Sequence, residues 1–300
     1  MSGFNRHRFI DTAAIGVGSL FIPKYFRDGV ESPSVEEHIA GVQLDVPQFE
    51  NEKTCEVAVE TLAGPLTAAV QLAQWKGSGF PTIIYHHGAL EIPYDYGFRR
   101  IFPLGKHVID ANLFLIRAPF HDRRKHFIEG MATTRNWLTM MAVSVNTIQQ
   151  VIQQVRVKSD KKILVGGTSL GGFVTNLHHI HFNSADVYTP LLAGLAMDDV
   201  LLHSVYSKSV AASAKAQPEI MRRLFNFQPD FQRSGQSHEC VHPLLAEHDA
   251  IIRFDVQRES YGGMEVAIIE KGHTTGAMDY LSLRNHMMDK LAAIQGIIGE

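Results

Sequence analysis

Residues 161–172 read Lys-Lys-Ile-Leu-Val-Gly-Gly-Thr-Ser-Leu-Gly-Gly. A short apolar run ends in Gly-x-Ser-x-Gly, and a new segment begins at once. This pattern predicts a strand, a very tight turn carrying Ser169, and a helix. Small residues at 167 and 171 are required because a Cβ at either place would crowd the neighbouring backbone. The turn lifts the Ser169 hydroxyl clear of the sheet at a helix N-terminus. Unpaired N–H groups and partial positive charge there favour developing negative charge. Chemically this is a site for a nucleophile.

Reading outward, further apolar runs end in polar loops. Pro81–His86 runs into His87-Gly88-Ala89, and Asn112–Ile116 into Arg117-Ala118-Pro119-Phe120. Leu192–Met197 is read as the strand ending in Asp198-Asp199, Val241–Ala246 as that ending in Glu247-His248-Asp249, and Met264–Ile269 as that before Lys271-Gly272-His273. Continuous apolar runs of this length fit strands buried on both faces of a parallel sheet. Ahead of them, Cys55–Leu62 alternates and Leu66–Trp75 resumes after Gly64-Pro65, which predicts an antiparallel hairpin. Helical periodicity covers Thr134–Val155, 172–182 and Tyr280–Ile298. The expected fold class is α/β: a doubly wound, mostly parallel sheet with an N-terminal antiparallel hairpin. The main domain is placed at 50–300, with 1–49 as an N-terminal arm packing on it. Residues 200–235 break the rhythm with candidate helices at Leu201–Ala216 and Pro218–Phe227. They are read as a small helical cap; a crossover helix with a long loop is the ordinary alternative.

These segments together resemble the α/β-hydrolase fold superfamily, of serine esterase and lipase type, over roughly residues 50–298. The resemblance rests on Gly167-Thr168-Ser169-Leu170-Gly171, Tyr85-His86-His87-Gly88-Ala89, Leu245-Ala246-Glu247-His248-Asp249 and Lys271-Gly272-His273. It implies acyl-transfer chemistry on an ester, thioester or amide, with Ser169 as nucleophile and no cofactor or metal. It does not imply a substrate, since this fold hosts many. A serine hydroxyl needs a base to take its proton, and imidazole titrates near working pH. Of the 16 histidines, His273 stands where the superfamily keeps its base. Asp249 is the expected partner carboxylate, with Asp198 and Asp199 as alternatives in the same chain order and Asp255 as a remoter one. The backbone N–H groups of Leu170 and Ala89 are the expected oxyanion donors. His86 and His87 are read as structural.

The segment Pro119-Phe120-His121-Asp122-Arg123-Arg124 is similar to the Pro-Tyr-His-x-x-Arg of some esterase-like hydrolases, with Phe120 in place of tyrosine. His121, Arg123 and Arg124 are therefore substrate-pocket candidates, a salt-bridged surface loop being the alternative. His178, His179 and His181 do not form a spaced metal motif and are read as a polar helix face.

Composition agrees with this class. A chain of 300 residues with 45% hydrophobic content buries a substantial core. A net charge of −3 without a dense Lys/Arg block argues against nucleic acid. The two cysteines, Cys55 and Cys240, read as free thiols in a reducing, cytoplasmic setting. No apolar run reaches membrane-spanning length, and Thr12–Ile22 lacks a clear cleavage site for an export signal. Phe21, Ile22, Tyr25 and Phe26 are expected on the core or against a second subunit, as in a homodimer. The expected partner is a small acyl substrate. Two rivals keep the same fold: a serine acyltransferase, and a non-catalytic binding protein.

Overall fold

The computed structural model describes residues 5–49 and 53–294. Among the described residues nine strands form one sheet: β1 (Gln43–Leu44), β2 (Thr54–Glu60), β3 (Leu66–Gln74), β4 (Thr82–His86), β5 (Asn112–Arg117), β6 (Ile163–Thr168), β7 (Val187–Leu191), β8 (Leu244–Ala246) and β9 (Ala267–Ile269). Their order is β1-β2-β3-β5-β4-β6-β7-β8-β9. The first three strands join antiparallel, and β3 joins β5 antiparallel. Every pair from β5 through β4 to β9 is parallel. The expected fold class is the observed one.

The hairpin turns at Gly64, whose φ of +98° suits a residue without a Cβ. Beyond it, β4, β5 and β6 are buried along their whole length. Helices cover both faces. The 25-residue helix Thr134–Lys158 lies on one face and contributes Leu138, Met141, Val145 and Ile148 to the larger core. Helix Tyr280–Ile294 lies on the other, placing Leu283, Met287 and Leu291 against Ile83, Leu113 and Leu164. Its expected end, at residues 295–298, falls outside the described residues.

One strand differs from its expected position. The strand after the Ser169 helix is Val187–Leu191, whereas Leu192–Met197 is a bend leading into helix Met197–Leu202. The signal that misleads is Pro190, because proline normally disqualifies a central strand. Here its missing N–H falls where β7 and β8 pair only loosely. Tyr188 N donates to Cys240 O and Leu192 N to Leu244 O. The intervening His242 carbonyl accepts from His286 Nε2 at 2.9 Å instead.

The 200–235 segment also departs from its reading. Leu201–Ala216 is not one helix but helix Met197–Leu202, a 3₁₀ turn at Val205–Ser209 and helix Ala212–Lys215. A continuous helix is prevented because its backbone groups are used elsewhere. Tyr25 N donates to Ser209 O at 2.8 Å, and Ala211 N donates to Tyr25 O at 2.9 Å. The second helix ends at Phe225, and Phe227 N donates to Leu195 O before a further helix, Gln228–Arg233. Tyr25 and Phe26 are thus buried in the chain's own core, while Phe21 is exposed. Cys55 and Cys240 are free. Among the described residues, no helix is long and apolar enough to cross a membrane.

At the turn after β6, backbone packs directly on backbone. An ideal Cβ on Gly171 would stand 2.2 Å from the His86 carbonyl oxygen, and one on Gly167 would stand 2.6 Å from the Gly171 backbone. Neither obstacle is a flexible side chain. Gly171→Ala is therefore expected to cost about 1–3 kcal/mol of stability, the range for overpacking a close-packed interior. Denaturant unfolding measures it; an unchanged midpoint contradicts the close approach.

Candidate active site

Ser169 has φ +56° and ψ −112°, a conformation that L-residues rarely hold. It persists because both sides are fixed: Ser169 N donates to Leu191 O at 2.8 Å, and helix Leu170–His181 starts immediately. The neighbouring Thr168 hydroxyl is 2.8 Å from the Tyr85 hydroxyl, tying the ends of β6 and β4 together.

Ser169 Oγ is 3.0 Å from His273 Nε2, and His273 Nδ1 is 2.8 Å from Asp249 Oδ2. The other Asp249 oxygen accepts from Ile251 N at 2.8 Å and Ile252 N at 2.7 Å. Three residues separated by up to 104 positions thus form one hydrogen-bonded line. Burial raises the Asp249 pKa above the ordinary value, with His273 pulling it down and Asp11 adding to the rise. For His273, burial acts against the imidazolium. The charge and hydrogen bond of Asp249, with Asp11 adding to them, outweigh burial and raise its pKa above the ordinary value.

The loop after β4 lies over this line. Glu91 accepts from Gly88 N at 3.0 Å and Gly97 N at 2.9 Å, so the Gly88 amide is already engaged. The next residue, Ala89, is the expected donor of this loop. Leu170 opens its helix, so its N–H has no carbonyl one turn earlier to bond. Both residues line the same cavity as Ser169 and His273. Its volume is about 510 Å³, and much of its wall is apolar, including Ile15, Trp137, Phe173, Val200 and Ile252.

Beneath the loop are three buried histidines. His86 Nε2 meets Ser144 Oγ at 2.9 Å, and His87 Nε2 accepts from Ala118 N at 3.1 Å. His121 Nε2 lies 2.7 Å from the Ala89 carbonyl. Burial lowers all three pKa values, that of His86 to about 3. They serve as neutral struts.

The structure corrects the pocket candidates. His121 is fully buried behind Ala89 and does not line the cavity. Its ring is turned inward, with Nε2 2.7 Å from the Ala89 carbonyl and Nδ1 3.0 Å from the Pro119 carbonyl, and the single N–H of the neutral ring donates to one of them. Arg123 pairs with Asp122 at 3.1 Å on the surface, and Arg124 reaches the Phe21 carbonyl. The alternative carboxylates are engaged or remote. Asp199 forms a two-pronged pair with Arg253, and Asp198 lies beside it in the first turn of its helix. Asp255 lies in the first turn of helix Phe254–Ser260. His178 faces the Tyr188 hydroxyl, and His179 faces Asn183 and His238. Among the described residues no group of three or more His, Cys, Asp or Glu could hold a metal ion.

Two groups at the site were missed in the sequence. Glu91 follows the expected donor loop by two residues, and an acidic residue there was the available signal. Asp11 accepts from His273 N at 2.8 Å, Thr274 N at 2.8 Å and Ala250 N at 3.1 Å. It belongs to helix Arg6–Phe21, more than 200 residues from its partners, and carries no local signal.

No protein-family model matches this chain, and no curated protein matches it. Solved structures do. An acylaminoacyl peptidase of Pyrococcus horikoshii superposes with a TM-score of 0.53 at 13% identity, covering 84% of this chain and 41% of the peptidase. This chain therefore spans about two fifths of that protein. An acetyl xylan esterase from Thermoanaerobacterium sp. gives 0.51 at 10% identity, covering 91% and 93%. A Pyrococcus furiosus esterase gives 0.52 at 10% identity, covering 88% and 99%. With the strand order above, these likenesses define an α/β-hydrolase fold.

A reaction needing neutral His273 loses rate as pH falls through its pKa. Because that pKa is raised, the acid limb for modification of Ser169 by a fluorophosphonate is expected above the ordinary 6.5. A limb below that value contradicts the assignment of causes.

Proposed function

We propose that this protein is a serine hydrolase that cleaves esters of apolar acyl groups through an acyl-enzyme. The observation that carries this reading is the hydrogen-bonded line from Ser169 Oγ through His273 to Asp249, opening into a largely apolar cavity. His273 Nε2 takes the Ser169 proton as Oγ attacks the acyl carbonyl. The oxygen of the resulting tetrahedral intermediate takes its charge between the Leu170 and Ala89 amides. His273 then passes the proton to the leaving alcohol, the C–O bond breaks, and an ester to Ser169 remains. Water, deprotonated by the same Nε2, attacks that ester and restores the serine. Asp249 fixes the histidine tautomer and stabilises the imidazolium formed twice per cycle.

An ester substrate is favoured by the esterases among the similar structures, an apolar acyl part by the cavity wall. We assign the wall beside Ser169 to the 197–206 stretch, where Met197, Val200, Leu201 and Tyr206 meet the cavity. Residues 200–235 would then act as a small cap on the main domain, and residues 1–49 as an arm completing it.

The test is a panel of p-nitrophenyl esters graded by chain length, run with thioesters and amides. Turnover is expected on esters and to rise from acetyl towards medium chains. Inactivity across the panel despite phosphonate labelling would favour transfer to another acceptor; inactivity without labelling, a binding protein. Ser169→Ala is expected to abolish labelling and lower kcat by on the order of 10⁶-fold. Asp249→Asn should lower kcat by about 10⁴-fold. Asp199→Asn, which loosens a salt bridge with Arg253, should cost far less; the opposite ranking would move the acid to Asp199.

A further inference from the structure

Asp11 is fully buried, yet among the described residues no lysine or arginine forms an ion pair with it. Its carboxylate is held by three backbone N–H groups drawn from two loops. Oδ2 accepts from Ala250, the residue after Asp249, and from His273 itself; Oδ1 accepts from Thr274. The loop that presents the acid and the loop that presents the base are thus fastened to one side chain. His273 and Thr274 open the short helix His273–Ala277, whose first N–H groups have no partner within it, so Asp11 caps that helix from another part of the chain. The sequence beside His273 is shaped for this contact. An ideal Cβ on Gly272 would stand 2.8 Å from Asp11 Oδ2 and 3.1 Å from His7 Cβ. Only glycine lets the N-terminal helix approach so closely.

We propose that Asp11 is a positioning residue of the active site, holding the Asp249 and His273 loops in register and adding a second negative charge beside the imidazolium. This rests on the reading of Ser169, His273 and Asp249 as the reacting line. A loop displaced by about 1 Å lengthens the 3.0 Å Ser169–His273 contact beyond a useful hydrogen bond. Misplacement on that scale costs about 100-fold in rate. The surrounding groups leave the charge effect readable. Asp249 faces the ring from the loop after β8. On the helix that carries Asp11, His7 bonds the Thr275 hydroxyl and stacks on His248. Lys271 pairs with Asp279 at 3.9 Å. Glu91 lines the cavity with its oxygens tied to backbone amides.

The experiment uses the full chain and measures the rate of fluorophosphonate labelling and of p-nitrophenyl ester turnover across pH. Asp11→Asn presents one acceptor and an unwanted N–H₂ to three donors. It is expected to lower kcat and the labelling rate by roughly 10- to 100-fold with KM within about twofold. The acid limb should move to lower pH, because a charge that raises the His273 pKa has been removed. A merely structural tie would slow the reaction equally at every pH, so an unmoved limb overturns the proposal, as does a wild-type rate. If Asp11→Asn does not fold, Gly272→Ala displaces the carboxylate without deleting it. The same slowing and shift are expected there, and wild-type behaviour overturns the proposal. Ser169→Ala separates the two levels: labelling that survives it removes the underlying reading, whereas labelling lost in Ser169→Ala but normal in Asp11→Asn removes only the role of Asp11.

Discussion

The site depends on the crossing of two backbones at Gly171. The helix after Ser169 runs so close to the end of β4 that the His86 carbonyl occupies the space of a side chain. That approach does two things at once. It forces Ser169 into its positive-φ turn, aiming Oγ away from the sheet. It also lays the His86–Glu91 loop directly beside the serine, so the Ala89 amide and the Leu170 amide come from elements already locked together. Under the proposed function these two amides are donors fixed before a substrate arrives, which need no reorganisation when charge develops, an arrangement worth several kcal/mol. The remaining members approach from β8 and β9, whose carboxyl ends stand on the same edge, as expected for ligand sites in open α/β sheets.

The same region shows how burial decides which groups carry charge. The rings of His86 and His87 stack with centroids 4.7 Å apart, His121 lies tilted against His87 at 4.5 Å, and burial lowers all three pKa values. Three imidazolium ions at that spacing would repel one another as well as lose their hydration. As neutral rings they hold carbonyls and amides of the donor loop at fixed positions. His273 is partly buried and has two carboxylates near it, and its pKa moves the other way. Burial thus lowers three of these four histidines, while the carboxylates beside His273 raise the fourth.

The elements carried by local pattern were legible in the sequence. The Gly-Thr-Ser-Leu-Gly turn, the alternation of β2, and the loops ending in Asp249 and His273 each announce themselves within a dozen residues. What failed was what depends on distant partners. Pro190 hid β7 because proline is tolerated only where the neighbouring ladder is open, and that gap is set by β8. The helix expected at Leu201–Ala216 is broken because Tyr25 takes its backbone groups. His121 reads like a pocket residue from its place after β5, but its ring turns inward to Ala89. Asp11 sits in a helix whose sequence looks like an apolar arm, and only the fold brings it to His273.

That helix couples two properties that the sequence keeps apart. Asp11 and Ile15 are one turn apart and therefore share a face. Asp11 fastens the acid and base loops, while Ile15 and Ala14 form part of the cavity wall. The chain then passes through Tyr25, which pairs with Val210 and accepts a hydrogen bond from the Tyr206 hydroxyl at 2.6 Å. Tyr206 lines the cavity as well. One continuous segment thus meets His273 through Asp11 at one end and the cavity-lining Tyr206 through Tyr25 at the other. A change that widens the cavity by shifting this helix must also move the carboxylate that sets His273. Under the proposed function, acyl-chain preference and turnover are for that reason not independent: substitutions at Phe173 or Val200 alter the cavity alone, whereas those on the helix also shift Asp11.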